Sequence, residues 1–224
     1  MSHWIVVRVL KFLTSILCRI DSAELNKVPA HGPLILITNH VNILEIPVLY
    51  TRLQPRPISG YFASYRLNSR WMKWLLTTLG GIPVHRGQPD RTALALAAER
   101  IRAGDIFALA PEGTRSGDGR LQKGRAGVVL LAIETGVPII PVAFWGSEHW
   151  LHNLRRLRRT PFHVAVGKPF IIELDGKTPD RALRQQVVDE IMLQLAKLMP
   201  EVYRGVYRGR AEEPRFLRFL EGAA

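Results

Sequence analysis

Residues 34–47, LILITNHVNILEIP, pass from an uninterrupted apolar run into a polar turn. The run from Leu34 to Ile37 is typical of a buried strand, because a strand covered on both faces has no polar positions. His40 and Glu45 follow five positions apart, a spacing that does not share one face of a regular helix. We therefore expect His40 on the turn after the strand and Glu45 in the first turn of the next element.

An imidazole beside a carboxylate has a plain chemical use. His40 can accept a proton from a hydroxyl group, and Glu45 can orient the ring and stabilise the resulting imidazolium. These residues alone are also compatible with a histidine on the surface or in the core that is unrelated to Glu45.

The charge of the chain predicts an anionic partner. The 224 residues carry a net charge of +12, with 47% apolar residues and one cysteine, Cys18. This length fits one domain or at most two with a sizeable core. A membrane surface, a phosphorylated substrate or a nucleic acid would suit such a charge. No nucleic-acid recognition motif is present, so we expect no nucleic-acid partner. A single cysteine excludes an internal disulfide framework.

Residues 4–20 form the most apolar early segment, within a predicted N-terminal membrane-associating segment over 1–24. Arg8 and Lys11 interrupt it, so no uncharged stretch reaches the roughly 20 residues that a membrane span needs. Polar residues recur at three- and four-residue steps, which predicts an amphipathic helix with Trp4 near its edge. Such a helix suits the membrane interface. A helix packed on the core of the protein is the alternative.

Apolar runs alternate with helical patterns along the rest of the chain. This alternation predicts an α/β domain over residues 25–200, with a largely parallel central sheet flanked by helices, followed by a C-terminal tail over 201–224. The predicted strands are 34–37, 58–63, 82–84, 106–110, 137–144 and 162–166. The predicted helices are 69–79, 91–103 with Asp90 as its N-cap, 123–135, and one that starts with Pro179 after a Thr178 cap.

Polar residues follow several of these strands directly. Arg86 comes after the third strand and residues 112–115 come after the fourth. Because ligands collect at the carboxyl ends of parallel strands, one edge of the sheet would hold them together with His40 and Glu45. An arginine fork there would pair with a phosphate group. A surface charge at Arg86 and a structural ion pair between Glu112 and Arg115 are the alternatives.

Four motifs in this order resemble the glycerolipid acyltransferases, and in particular the bacterial 1-acylglycerol-3-phosphate acyltransferases. The resemblance covers residues 25–200. The motifs are Asn39-His40 with Glu45, Gly81-Ile82-Pro83-Val84-His85-Arg86, Pro111-Glu112-Gly113-Thr114-Arg115-Ser116 and Val137-Pro138-Ile139-Ile140-Pro141-Val142.

The resemblance implies acyl transfer from acyl-CoA or acyl carrier protein to the hydroxyl of a lysophospholipid. His40 would be the general base and Glu45 its orienting carboxylate, with no metal or redox cofactor. Pro141 would shape the pocket for the acyl donor or the acyl chain. The protein would lie on anionic lipids at the cytoplasmic face of the cell membrane. The acceptor phosphate would be held by Arg86, Glu112, Gly113, Thr114, Arg115 and Arg125.

One residue departs from the family pattern, which has Asp where this chain has Glu45. The extra methylene requires either a backbone that is set back or a looser pair with His40. Two alternatives follow: the same chemistry on another lysophospholipid, aminolipid or glycolipid acceptor, and a lipid-binding relative without catalysis. Outside the motifs, residues 155–159 form a basic patch that suits an anionic leaflet or a solvated loop.

Overall fold

The computed structural model describes residues 3–64, 68–85 and 90–221. Within them nine strands form one sheet. The strands are β1 (Cys18–Ile20), β2 (Leu34–Thr38), β3 (Ile58–Ala63), β4 (Gly81–Val84), β5 (Ile106–Leu109), β6 (Ile139–Trp145), β7 (Thr160–Val166), β8 (Phe170–Ile172) and β9 (Leu217–Phe219).

Helices pack on the sheet and connect its strands. They are α1 (His3–Leu17), α2 (Glu45–Arg52), α3 (Arg70–Thr78), α4 (Arg91–Arg102), α5 (Gly127–Thr135), α6 (Trp150–Arg155) and α7 (Arg181–Leu198). Short 3-10 turns span Ala23–Lys27, Glu201–Tyr203 and Gly205–Tyr207. The predicted α/β fold with a mostly parallel sheet is confirmed.

The main path of the sheet runs in the order β1-β7-β6-β2-β5-β3-β4. Strand β2 lies parallel between β5 and β6, and β3 lies parallel to both β4 and β5. Strands β7, β8 and β9 add the antiparallel pairs. The carboxyl ends of β2, β5 and β6 therefore meet at one edge, and the loops after these strands are neighbours.

Strand β2 is buried along its whole length because helices cover both faces of the sheet. Ile35 and Ile37 belong to the core on the side of α4, α5 and α7. Leu34 and Leu36 belong to the core on the side of α1 and α2. Successive side chains of a strand point to opposite faces, so an apolar run without alternation is what a doubly covered strand requires.

The start of α4 agrees with the prediction. The Asp90 carboxylate accepts a hydrogen bond from the Ala93 N–H at 2.9 Å, which satisfies one of the free donors of the first turn. The predicted start of α7 at Pro179 was wrong. The helix begins at Arg181, and the Asp180 carboxylate caps it by accepting a hydrogen bond from the Leu183 N–H at 2.8 Å.

Helix α5 begins at Gly127, four residues after the predicted start at 123. The backbone before it is committed to tertiary hydrogen bonds. The Gly124 N–H donates to the Tyr207 hydroxyl at 3.1 Å, and the Arg125 N–H donates to the Pro111 carbonyl at 2.8 Å. These bonds hold the residues before α5 against the loop that follows β5.

Helix α1 is packed on one side and exposed on the other. Val6 and Val7 are buried, whereas the exposed fractions of Trp4, Phe12 and Ile16 are 56%, 64% and 53%. The helix therefore contributes to the core and also presents an apolar surface. None of the helices in the described residues is long and apolar enough to span a membrane.

Both predicted terminal segments join the folded domain. Strand β1 pairs with β7, and β9 pairs with β8. Tyr207 is 1% exposed and lies in the core beside α7. The predicted boundary at residue 200 therefore does not mark the end of the packed domain, because the segment after it completes the sheet and the core.

Candidate active site

The His40–Glu45 pair is formed as the sequence predicted. His40 lies on the turn after β2, and Glu45 is the first residue of α2. The imidazole Nδ1 and the Glu45 Oε2 are 3.1 Å apart. The His40 side chain is 19% exposed and the Glu45 side chain 3%. A proton on Nδ1 directed at the carboxylate leaves Nε2 as the proton acceptor.

Surrounding donors accommodate the longer side chain of Glu45. Its Oε2 accepts a hydrogen bond from the Asn42 N–H at 2.9 Å, and its Oε1 accepts one from the Ser147 hydroxyl at 3.3 Å. The amino end of α2 also favours a negative charge at this position. The extra methylene is therefore compatible with a hydrogen-bonded pair, and the carboxylate is fixed before any substrate binds.

Three polar residues hold the turn after β2 against the end of β6: Asn39, which the sequence analysis named only as part of a motif, and Asn42 and Ser147, which it did not select. The Asn39 amide donates to the Phe144 carbonyl and accepts from the Phe144 N–H, both at 2.7 Å. The Asn42 amide donates to the Ser147 carbonyl at 2.9 Å. The signals in the sequence are two asparagines within a buried turn and a serine directly after an apolar strand.

Glu112 faces the protein interior and binds backbone groups. Its Oε1 accepts a hydrogen bond from the His40 N–H and its Oε2 accepts one from the Gln122 N–H, both at 2.9 Å. Burial, together with the nearby Glu45 and Asp118 carboxylates, raises the pKa of Glu112 to about 7, although the two hydrogen bonds act in the opposite direction. Both oxygens of the carboxylate have backbone partners. The predicted contact of Glu112 with an acceptor phosphate stays a prediction.

The loop between β5 and α5 is bound directly to the histidine turn. The Ser116 N–H donates to the His40 carbonyl at 2.8 Å, and the Gly117 N–H donates to the Val41 carbonyl at 3.0 Å. Together with Glu112, these bonds make the β5–α5 loop and the turn after β2 one connected unit. A displacement of this loop would therefore move the imidazole.

Gly113 requires its glycine for two reasons. Its φ of +70° lies in the left-handed region, and a Cβ atom there would come within 3.0 Å of the Arg125 side chain. The Arg125 Nε donates to the Glu112 carbonyl at 3.2 Å, so the side chain crosses directly over Gly113. The glycine thus allows an arginine to lie across the loop that is hydrogen-bonded to the His40 turn.

Arg115 is exposed and Thr114 is partly exposed on the same loop. Among the residues that the structure describes, Arg115 forms no salt bridge, so the alternative of a structural ion pair with Glu112 is not met. Arg86 lies outside the described residues. The loop therefore presents the guanidinium of Arg115 to solvent at the edge where His40 lies.

Pro141 lies inside β6 and is buried. It is opposite Ile37 in the sheet, and its carbonyl accepts a hydrogen bond from the Gly167 N–H at 2.9 Å. Its ring lies against Gly167, where a Cβ atom would come within 2.7 Å of it. Its predicted role in an acyl pocket stays a prediction.

Comparison with known proteins agrees with this arrangement. The family model described as Acyltransferase matches residues 19–145, more than half of the chain. A 1-acyl-sn-glycerol-3-phosphate acyltransferase of Pseudomonas aeruginosa is 24% identical over 190 residues, which cover 82% of this chain and 73% of that protein. The chloroplastic 1-acyl-sn-glycerol-3-phosphate acyltransferase BAT2 of Brassica napus is 28% identical over 137 residues, which cover 57% of this chain and 37% of that protein.

A solved structure extends the similarity to the fold. The crystal structure of the 1-acyl-sn-glycerophosphate (LPA) acyltransferase PlsC from Thermotoga maritima superposes with a TM-score of 0.61 at 23% identity, over 88% of this chain and 79% of that one. The α/β fold is thus shared with PlsC. Because the family model matches most of the segment that carries His40, Glu45 and the β5–α5 loop, the chain belongs to the acyltransferase family.

Proposed function

We propose that the protein transfers a fatty acyl group from a thioester donor to the free hydroxyl of 1-acylglycerol 3-phosphate, giving phosphatidic acid. The observation that carries the proposal is the hydrogen-bonded His40–Glu45 pair joined to a loop with the exposed Arg115. A base beside an anion site suits an acceptor that carries both a hydroxyl and a phosphate. The names of the relatives, which are 1-acylglycerol-3-phosphate acyltransferases, support the same acceptor.

In this mechanism His40 takes the proton of the acceptor hydroxyl at Nε2 as the oxygen attacks the thioester carbonyl carbon. Glu45 stabilises the imidazolium through Nδ1–H, and its own charge is held by Asn42 and Ser147. The tetrahedral intermediate then collapses, the carbon–sulfur bond breaks, and the leaving thiolate takes the proton from Nε2. The products are the ester and the free thiol, and His40 returns to its starting form.

The arginines position the acceptor. Arg115 is exposed and Arg125 lies over Gly113, so a phosphate above the loop would reach both guanidinium groups. Arginine forms paired, charge-assisted hydrogen bonds to phosphate oxygens. In this proposal Arg86 and Thr114 add further contacts, and Glu112 positions the loop through the His40 and Gln122 backbones. Holding the phosphate fixes the hydroxyl beside Nε2, which supplies part of the rate.

We infer further that the protein lies on anionic lipids at the cytoplasmic face of the membrane. The apolar surface of α1, with Trp4, Phe12 and Ile16, supports this placement. The Arg159 guanidinium donates to the Ser15 and Cys18 carbonyls at the end of α1, each at 2.7 Å. The loop before β7 is therefore joined to the exposed helix.

That loop suits a lipid surface. Leu157 is 94% exposed, adopts a φ of +53° and is flanked by Arg156 and Arg158. An exposed leucine between arginines can enter the acyl region while the arginines contact lipid phosphates, at about 1 kcal/mol for each charge near an anionic leaflet. Cosedimentation with phosphatidylglycerol vesicles tests this placement. Leu157→Asp and Phe12→Asp should each weaken binding, whereas Asp175→Ser, at another exposed turn, should leave it unchanged.

The acyl transfer is tested by product identification. The purified protein is mixed with isotope-labelled acyl-CoA or acyl carrier protein and with lysophosphatidic acid, and the lipids are analysed by mass spectrometry. Labelled phosphatidic acid is the expected product. If labelled product forms only from a lysophospholipid with another headgroup, an aminolipid or a glycolipid, that lipid is the acceptor in place of lysophosphatidic acid. No labelled lipid from any acceptor would contradict the proposed class of reaction.

A further inference from the structure

Two short turns near the C-terminus lie against both loops that support His40. Residues 201–207 form them and are called the C-terminal turns below. One of the supporting loops connects β5 and α5, and the other follows β6. The sequence analysis assigned residues 201–224 to a tail outside the domain. The contacts of the C-terminal turns instead lead to the neighbours of the two residues that donate to Glu112 and Glu45.

Leu121, in the β5–α5 loop, is held by backbone hydrogen bonds on both sides. Its N–H donates to the Tyr203 carbonyl at 2.9 Å, and its carbonyl accepts from the Val206 N–H at 3.2 Å. The next residue, Gln122, donates its N–H to Glu112, and that carboxylate also binds the backbone of the histidine turn. The C-terminal turns therefore help to determine where the β5–α5 loop places this carboxylate.

Gly205 allows the turns and the loop to approach closely. Its φ of +50° lies in the left-handed region, and a Cβ atom there would overlap the Leu121 carbonyl oxygen. A second attachment follows, because the Gly124 N–H donates to the buried Tyr207 hydroxyl at 3.1 Å. The same hydroxyl donates to the Asp189 carboxylate of α7 at 3.2 Å. The loop is thus fixed to the C-terminal turns at two points.

Tyr203 also reaches the loop after β6. Its hydroxyl donates to the Glu148 Oε1 at 2.5 Å, and burial together with this bond raises the pKa of Tyr203 to about 12, so the hydroxyl keeps its proton at neutral pH. The residue before Glu148 is Ser147, which donates to Glu45. Tyr203 is therefore bound to one loop through its carbonyl and to the other through its hydroxyl.

We propose that Tyr203 is a positioning residue for the acyl transfer, because it joins the loops that support Glu45 and Glu112. This inference rests on the proposed function. One loop supports the carboxylate at the imidazole ring, and the other supports the carboxylate at the backbone N–H of His40. A change in the separation of the loops would move the imidazole relative to the acceptor hydroxyl, and the rate depends steeply on that geometry.

Removal of the hydroxyl tests the proposal with the least change of shape. Tyr203→Phe should lower kcat roughly threefold to tenfold, the effect of losing one hydrogen bond, and leave KM for both substrates within about twofold. Tyr61→Phe is the matched control, because its hydroxyl donates to the Ala93 carbonyl at 3.4 Å, a bond that involves neither loop. This control should keep the kcat of the wild type. An unchanged kcat in Tyr203→Phe would overturn the proposal.

A double variant separates positioning from a loss of stability. Ser147→Ala removes the donor that lies between Tyr203 and Glu45. If Tyr203 acts through Ser147, the double variant Tyr203→Phe/Ser147→Ala should have nearly the kcat of Ser147→Ala alone. Losses that multiply would show an independent effect, such as a smaller folded fraction, and would overturn the proposal.

Amide hydrogen exchange followed by NMR gives a readout that does not need activity. The Asn42 N–H, which donates to Glu45, should exchange about threefold to tenfold faster in Tyr203→Phe than in Tyr61→Phe, whereas the amides of α4 should keep the wild-type rates. An unchanged rate at Asn42, or an equal increase throughout the chain, would overturn the proposal whether or not the protein transfers acyl groups. Faster exchange at Asn42 in a protein that acylates no acceptor would support the coupling of Tyr203 to the turn and contradict the proposed function alone.

Discussion

The turn that carries His40 and the β5–α5 loop that carries Arg115 differ in how much of their geometry the fold fixes. Two carboxylates hold His40: Glu45 is hydrogen-bonded to its ring, and Glu112 accepts from its backbone N–H. Arg115 is exposed and has no ion pair among the described residues. In the proposed mechanism the proton acceptor is therefore held in place before substrate binds, whereas the proposed anion site at Arg115 would gain its partner from the substrate.

The difference has a physical reason. A base must be held in one orientation throughout the reaction, and a buried carboxylate holds it only if its own hydrogen bonds are complete. A guanidinium that binds a substrate must stay free of internal partners, because breaking an ion pair would reduce the affinity. Mutations in the His40 turn should therefore change mainly kcat, and mutations in the β5–α5 loop should change mainly KM for the acceptor.

The largest effect is expected from His40→Ala. Loss of the proton acceptor should lower kcat by about 10² to 10⁴, the range typical of a general base, with little change in KM for the acceptor. Steady-state assays of phosphatidic acid formation measure both constants. The control is His31→Ala, which should behave as the wild type. A loss of less than about tenfold would show that another group accepts the proton.

The next effect is expected from Arg115→Ala on the other side. KM for lysophosphatidic acid should rise by about tenfold to a hundredfold, since a charge-assisted pair to phosphate is lost, and kcat should change less. Arg115→Lys should recover only part of the affinity, because the ammonium group keeps the positive charge but cannot form the paired hydrogen bonds of the guanidinium. Arg102→Ala, whose exposed ion pair with Glu134 lies at the far end of α4, is the control. An unchanged KM for Arg115→Ala would refute the anion site.

A smaller effect is expected from shortening the side chain at position 45. Glu45→Asp shortens a carboxylate that Asn42 and Ser147 hold at its present length, so kcat should fall by roughly threefold to tenfold, about the value of one hydrogen bond. Ser147→Ala should give a similar loss, and the two losses should not add, because both act on the same carboxylate. Kinetics of the two single variants and the double variant measure this. A higher kcat for Glu45→Asp would show that the longer side chain is a handicap.

The last effect is on stability, with the smallest expected change in catalysis, and concerns Glu112, the carboxylate that joins the β5–α5 loop to the His40 turn. The raised pKa of Glu112, about 7 against an ordinary value of 4.5, means that the folded protein binds more protons than the unfolded chain between these values. The free energy of unfolding should therefore decrease as the pH rises through this interval, by at most about 1.4 kcal/mol for each pH unit.

Denaturant unfolding between pH 5 and pH 8 tests this dependence. This interval covers most of the range between the ordinary pKa of Glu112, 4.5, and its raised pKa of about 7. Glu112→Gln should be less stable than the wild type overall, because its amide cannot accept from both backbone N–H groups. It should also show a flatter dependence on pH. Glu134→Gln, at an exposed position, should keep the slope of the wild type. An unchanged slope in Glu112→Gln would assign the dependence to other groups.

Local patterns predicted the elements that position the site. The apolar run of β2, the cap at Asp90 and the placement of Glu45 at the start of α2 depend on neighbouring residues, and all three agree with the structure. The mostly parallel sheet could also be predicted from the sequence, because alternating strands and helices favour parallel pairing.

Contacts between distant residues could not be predicted in the same way. Asn39 binds Phe144 across 105 residues, and Glu112 binds the backbone of His40 across 72. Their side-chain directions depend on how β5 and β6 pack beside β2, which no local spacing specifies. For the same reason the sequence did not reveal that the Glu112 carboxylate is buried and accepts from the His40 and Gln122 N–H groups.

Release of free thiol from acyl-CoA tests the central claim most directly. It is measured for the wild type and His40→Ala, with lysophosphatidic acid and with the corresponding 1-acylglycerol, which lacks the phosphate. We predict rapid release only for the wild type with the phosphorylated acceptor. Equal release with both acceptors would contradict the anion site. Release by His40→Ala at the rate of the wild type would contradict the proposed base.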